Sequence, residues 1–125
     1  MTVGQDHHAV DVIAIAAGRQ ADPALATMVG TPLAFSTELG GLIPLIDDHL
    51  RSPTARLFVA GDAAGVGSLA AVVAEGRLAG IAAASSLGLA SDEDVAAVRA
   101  AGGPELEWRL ARRAALPAVS AQPYQ

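Results

Sequence analysis

Residues 9–17, "AVDVIAIAA", form a short apolar run rich in Val and Ile that stops at Gly18. A run of that length and composition predicts a buried strand. "RLFVAG" at 56–61 predicts a second one. Between them, Asp22-Pro23 reads as a helix start, with Pro at the first helical position of "PALATMVG" and Gly30 at its end. Residues 31–41 have little pattern and close on Gly40-Gly41. "LIPLID" at 42–47 predicts a short edge strand, because Pro44 cannot donate to a central ladder. Asp47-Asp48-His49 reads as a turn and Ser52-Pro53-Thr54 as loop. A long helix is predicted from about Gly67 to Leu87. It carries Gly76 and Gly80, each costing about 1 kcal/mol against Ala, which points to close backbone packing. Ser91 caps "DEDVAAVRAA", whose first-turn acids suit the helix dipole. Gly102-Gly103 breaks that helix, Pro104 opens "PELEWRLARRAAL", and Pro117 stops it. The last eight residues, 118–125, are expected to be mobile.

Composition adds a constraint on self-sufficiency. The chain has 125 residues, 52% hydrophobic, with mean hydropathy +0.41, so disorder is not expected. Only 3% are aromatic, and Ala is the commonest residue. At about 25 cal/mol per Å² of buried apolar area, a core of Ala stabilises less than one of Leu, Ile and Phe. Part of the apolar surface is therefore expected to face another chain, by self-association or against a second subunit.

The net charge is −5, and all eight basic residues are Arg. This balance argues against a nucleic-acid surface. Arg109, Arg112 and Arg113 make one helical stripe, read as a solvated face. The absence of Cys excludes disulfides, thiolate metal sites and iron–sulfur clusters from the chain, and fits a cytoplasmic protein. No signal peptide is read at the start. Glu75 and Arg77 interrupt the most apolar window, 69–90, so no membrane span is expected.

The chemistry concentrates in residues 57–80, "LFVAGDAAGVGSLAAVVAEGRLAG". Gly65-Val66-Gly67-Ser68-Leu69-Ala70 fits the dinucleotide fingerprint G-x-G-x-x-A. In a true fingerprint the first Gly ends the strand; here Gly65 comes four residues after Gly61. No acidic residue follows at about 20 residues to hold a ribose, and no strand follows the helix. The preferred reading places Asp62 at the carboxyl end of a strand, where open α/β sheets bind ligands. Its carboxylate is an acceptor suited to a sugar or ribityl hydroxyl. The turn Ala63-Ala64-Gly65-Val66-Gly67 has no bulky polar group, so its backbone can approach a ligand. The next helix points its positive end there.

This stretch resembles the second FAD-binding motif of the two-dinucleotide-binding-domain flavoproteins, the superfamily of the disulfide and thioredoxin reductases. The resemblance implies that Asp62 binds the ribityl chain of FAD and that the following helix aims its N-terminus at the flavin. "VDVIAIAAGRQADPAL" looks like the family's other marker, a strand ending in Ala-Thr-Gly, here Ala16-Ala17-Gly18-Arg19 with Ala in place of Thr. Residues 10–90 are most similar to the alpha subunits of opine oxidase, heterotetrameric sarcosine oxidase and hydrogen cyanide synthase. These are multi-subunit amine and amino-acid dehydrogenases. The implied cofactor-binding set is Gly18, Gly61, Asp62, Ala63, Ala64, Gly65, Gly67 and Ala70, with no catalytic or metal-ligating residue.

The departures shape the expectation. The family's N-terminal G-x-G-x-x-G and its NAD(P)-like insert are not found in this sequence. The expected fold is α/β: the C-terminal portion of a Rossmann-like FAD/NAD(P)-binding domain over residues 1–90, with an α-helical extension over 91–125. The chain is expected to be a fragment, a truncated frame or one piece of a split subunit. Its function would be FAD binding within an oxidoreductase acting on a small-molecule amine or amino acid. The alternatives are a non-enzymatic accessory protein and a pyridine-nucleotide reductase of the thioredoxin reductase type.

Four residue groups are expected to be structural. His7 and His8 read as an exposed N-terminal segment, and His49 as part of a solvated turn. Glu75 with Arg77 reads as a surface or interface pair. Trp108, Leu106 and Leu110 read as the packing face of the last helix. Ser68 lacks the G-x-S-x-G elbow of a hydrolase.

Overall fold

A computed structural model describes residues 2–3, 6–54 and 56–117. The expected mobile segment 118–125 lies outside the described residues. Strands β1 (Thr2–Val3) and β2 (Asp6–His7) pair antiparallel, with Thr2 opposite His7. Helix α1 is Ala24–Met28. The helix starts one residue later than expected, with Pro23 as its N-cap, and Asp22 Oδ1 accepts the Ala24 N–H at 3.0 Å. Strands β3 (Leu33–Ser36) and β4 (Gly41–Pro44) form an antiparallel hairpin in register from Leu33↔Pro44 to Ser36↔Gly41. Each strand of a two-stranded ladder is an edge, which accommodates Pro44. Ala34 and Ser36 face inward while Phe35 faces solvent, the alternation of a half-buried strand.

Two expected strands are corrected. Residues 9–17 contain no strand, and Val10, Val12, Ile13 and Ile15 are exposed. Residues 56–61 contribute only one bridge, Arg51↔Phe58, flanked by Ser52 N–H to Leu57 O and Val59 N–H to Leu50 O, both 2.9 Å. A strand exists only with a ladder partner, and no described strand lies beside residues 9–17 to supply one. The observed architecture mixes helix and strand. The described residues contain no parallel sheet, so a Rossmann-like layout is not shown.

The helical half follows the sequence closely. A 3₁₀ turn at Gly61–Ala64 leads to α2 (Leu69–Ser86). Ser68 caps α2, its Oγ accepting the Ala71 N–H at 3.2 Å. Helix α3 (Asp92–Ala101) opens on a capping box between Ser91 and Asp94. Helix α4 (Gly103–Ala114) has Pro104 in its first turn. Leu78, Val95, Leu106 and Leu110 bring α2, α3 and α4 together over Leu50. Arg99 then ties α3 to Asp48 at 2.7 Å and to Glu107 of α4 at 2.8 Å.

By length and composition alone α2 could cross a membrane, with mean hydropathy 1.3 over 18 residues, of which 22% are buried. Crossing would carry Glu75 and Arg77 into hydrocarbon, at about 2.5–3.5 kcal/mol per charged residue. The packing of α3 and α4 on α2 makes it the central helix of this group instead.

Candidate functional site

The loop from Gly61 to Gly67 is built around a buried ion cluster. Ala71, Glu75, Leu78, Ala79 and Ala82 form the buried stripe of α2. Leu106, Arg109, Leu110 and Arg113 form that of α4. The two stripes face each other, so the Glu75 carboxylate meets both guanidinium groups. Arg109 Nε reaches Glu75 Oε1 at 2.6 Å, and Arg113 Nη2 reaches the same oxygen at 2.5 Å. The reading of Glu75 and Arg77 as a surface or interface pair is therefore corrected for Glu75, which is fully buried and pairs with Arg109 and Arg113. The solvated arginine stripe is corrected for Arg109 and Arg113; only Arg112 is exposed, paired with Glu38 at 2.5 Å and lying over the Trp108 ring. Trp108 itself is half exposed, so Leu106 and Leu110 alone make the apolar packing face.

The arginines spend their remaining donors on the loop. Arg109 Nη2 donates to Gly65 O at 2.6 Å and Nη1 to Val66 O at 2.7 Å. Arg113 donates from Nε and Nη2 to Ala64 O at 3.1 and 3.0 Å. Glu75 Oε2 accepts the Gly61 N–H at 2.9 Å. Burial pushes the Arg113 guanidinium below its usual pKa, opposed by Glu75. Its Nη1 is buried without a hydrogen-bond partner among the described residues.

The outer side of the loop carries Asp62 and Ala63, both exposed. Asp62 Oδ1 accepts the Gly67 N–H at 3.4 Å, and Arg19 Nη1 lies 3.5 Å from Oδ2. Arg19 Nη2 also donates to Gly67 O at 2.5 Å. The fold thus joins the two marker stretches, 16–19 and 61–67, through one side chain. Both contacts to the carboxylate are long, so it retains capacity to accept from a ligand. Asp62 sits on the rim of an open groove of about 690 Å³, lined in part by Gln20, Leu25, Val29, Phe58 and Ala60. The groove thus sets one exposed carboxylate on the rim of a mainly apolar lining.

The glycines serve the protein's own packing. Gly65 has φ +128°, and a Cβ there would lie 3.0 Å from Leu39 Cβ. A Cβ on Gly67 would meet the Arg109 guanidinium, which fills that space. Neither glycine could carry a side chain without displacing a neighbour. Gly61 and Ala64 are buried in the loop's inner side. Gly18 is exposed beside Arg19, and Ala70 faces a separate groove between α2 and α3. The structure therefore gathers Gly61 to Gly67 into one site and leaves Gly18 at its margin and Ala70 outside it. At the start of α2, Ser68 Oγ donates to Glu105 Oε2 at 2.7 Å, so a carboxylate of α4 already lies at that helix end.

Among known proteins, the chain is similar to one of the subunits of opine oxidase from Rhizobium meliloti (strain 1021), with 38% identity over 65 residues. The likeness covers 52% of this chain and 14% of that relative. No protein-family model matches the chain, and no solved structure does.

Proposed function

We propose that the chain is an FAD-binding segment of an FAD-dependent oxidoreductase of the amino-acid or amine dehydrogenase type, working with another flavoprotein chain. The observation that carries this reading is the meeting of Arg19, Asp62 and Gly67, which unites two stretches 43 and 48 residues apart at one ligand-accessible carboxylate. The likeness to part of opine oxidase supports the same class.

Asp62 would hold the ribityl chain by accepting a hydroxyl proton. Ala60 and Ala63 would leave the groove open to the ring system. FAD supplies the hydride and electron transfer when bound. The adenosine and pyrophosphate part of the site would come from the partner chain.

The test is assembly. The purified chain alone should bind FAD weakly or not at all. Combined with a flavoprotein chain that carries a G-x-G-x-x-G motif, it should form a complex that retains FAD through gel filtration. A tight, stoichiometric yellow complex of the lone chain would show that no partner is needed to complete the cradle.

A further inference from the structure

We infer that Arg109 is the positioning residue for Asp62, acting through the Val66–Gly67 peptide, and that helix α4 is thereby part of the ligand site. This rests on the reading of Asp62 given above. The Val66 carbonyl accepts from Arg109 Nη1 at 2.7 Å, and the N–H of the same peptide unit, on Gly67, donates to Asp62 Oδ1 at 3.4 Å. A planar peptide fixes the directions of both groups, so holding the carbonyl aims the N–H. A charged donor on the carbonyl also polarises the unit and strengthens its N–H as a donor.

The anchoring is redundant on the inner side. Arg109 and Arg113 hold three successive carbonyls, those of Ala64, Gly65 and Val66. Glu75 orients both guanidinium groups and also takes the Gly61 N–H, so both ends of the loop refer to one carboxylate. Asp62 and Ala63 lie between these fixed points and face outward. A loop pinned inside and open outside presents a preorganised acceptor, which lowers the ordering cost of binding. Gly67 is needed because Arg109 occupies the space of its Cβ.

The experiment has two arms. In the full-length chain, amide hydrogen exchange is measured for Gly65, Val66 and Gly67 against amides of α3. Arg109→Met should speed the loop amides about tenfold more than it speeds those of α3, and Arg109→Lys should fall between. Arg112→Met, on the exposed side of α4, should change neither. Unchanged loop exchange, or equal acceleration of loop and α3, overturns the inference. In the second arm, FAD retention by the assembled complex is compared for Arg109→Met, Asp62→Ala and the double variant. The double variant should lose no more than Asp62→Ala, because Arg109 acts through Asp62. Additive losses overturn the inference. A wild-type complex without FAD sinks the flavin reading, while the exchange arm still decides whether Arg109 sets the loop.

Discussion

Replacing Glu75 by Gln is the sharpest test of how the fold is held. The carboxylate is fully buried and accepts four hydrogen bonds, from Gly61 N–H, Arg109 Nε, Arg109 Nη2 and Arg113 Nη2. Gln has nearly the same shape, but one of its two positions becomes a donor facing other donors. Two guanidinium charges then share the interior with no counter-ion. Removing one partner of a buried ion pair costs about 3–5 kcal/mol. A domain of this size is stable by about 5–15 kcal/mol in all. With a urea slope of about 1–3 kcal/mol per M, the midpoint should drop by about 1–5 M. Glu38→Gln is the control. It breaks the Arg112–Glu38 pair, whose side chains are both about half exposed, and should cost about 0–1 kcal/mol. Urea unfolding followed by helical circular dichroism and by Trp108 fluorescence reads both variants. Equal midpoints for Glu75→Gln and Glu38→Gln would refute the assignment of the buried cluster as the keystone between α2, α4 and the loop.

Other outcomes follow from the same geometry. Gly65→Ala should destabilise by about 1–3 kcal/mol in thermal unfolding, since its φ of +128° and the nearby Leu39 oppose a side chain. Hydrogen bonds from Arg99 hold the Asp48 and Glu107 carboxyls below their ordinary values of 3.8 and 4.5. A depressed folded-state pKa gives stability that is present above the ordinary value and lost as pH falls through the folded one. Acid unfolding should therefore be less steep below about pH 4 in Arg99→Ala than in wild type. Exposed Val12, Ile15, Leu25 and Met28 should drive self-association or binding to a partner chain. Sedimentation of a monodisperse monomer at all concentrations, with no complex formed, would count against that.

What can be read in the sequence follows from what local chemistry decides. Helices α2, α3 and α4 announce themselves through Ser68, Ser91 and Pro104, and each begins within two residues of its expected start. The strand at 9–17 is expected from composition, but pairing is non-local and no partner lies beside it among the described residues. The hairpin of β3 and β4 is half legible: Pro44 marks an edge strand, while Leu33–Ser36 carries too little pattern to show its partner. Asp62 is read as a ligand acceptor from an expected strand end, whereas it lies in the 3₁₀ turn Gly61–Ala64 with its side chain exposed. Arg109 and Arg113 read as solvated and Glu75 as part of a surface or interface pair, yet a contrary signal is present. Arg109 and Arg113 fall at the i+3 and i+7 positions of a stripe begun by Leu106 and shared with Leu110. Glu75 falls on the stripe of Ala71, Leu78 and Ala82. Opposite charges placed on two apolar stripes are mutual partners more readily than surface residues.

The most direct test of the central claim is the FAD content of the assembled complex with Asp62 intact and replaced. Asp62→Ala removes a charged acceptor worth about 1.5–3 kcal/mol, so FAD affinity should fall roughly ten- to hundredfold. Asp62→Asn, which keeps an acceptor without charge, should lie between. Flavin released on dilution, followed by visible absorbance, measures all three. The account predicts release in the order Ala, then Asn, then wild type; full retention of FAD by Asp62→Ala would contradict it.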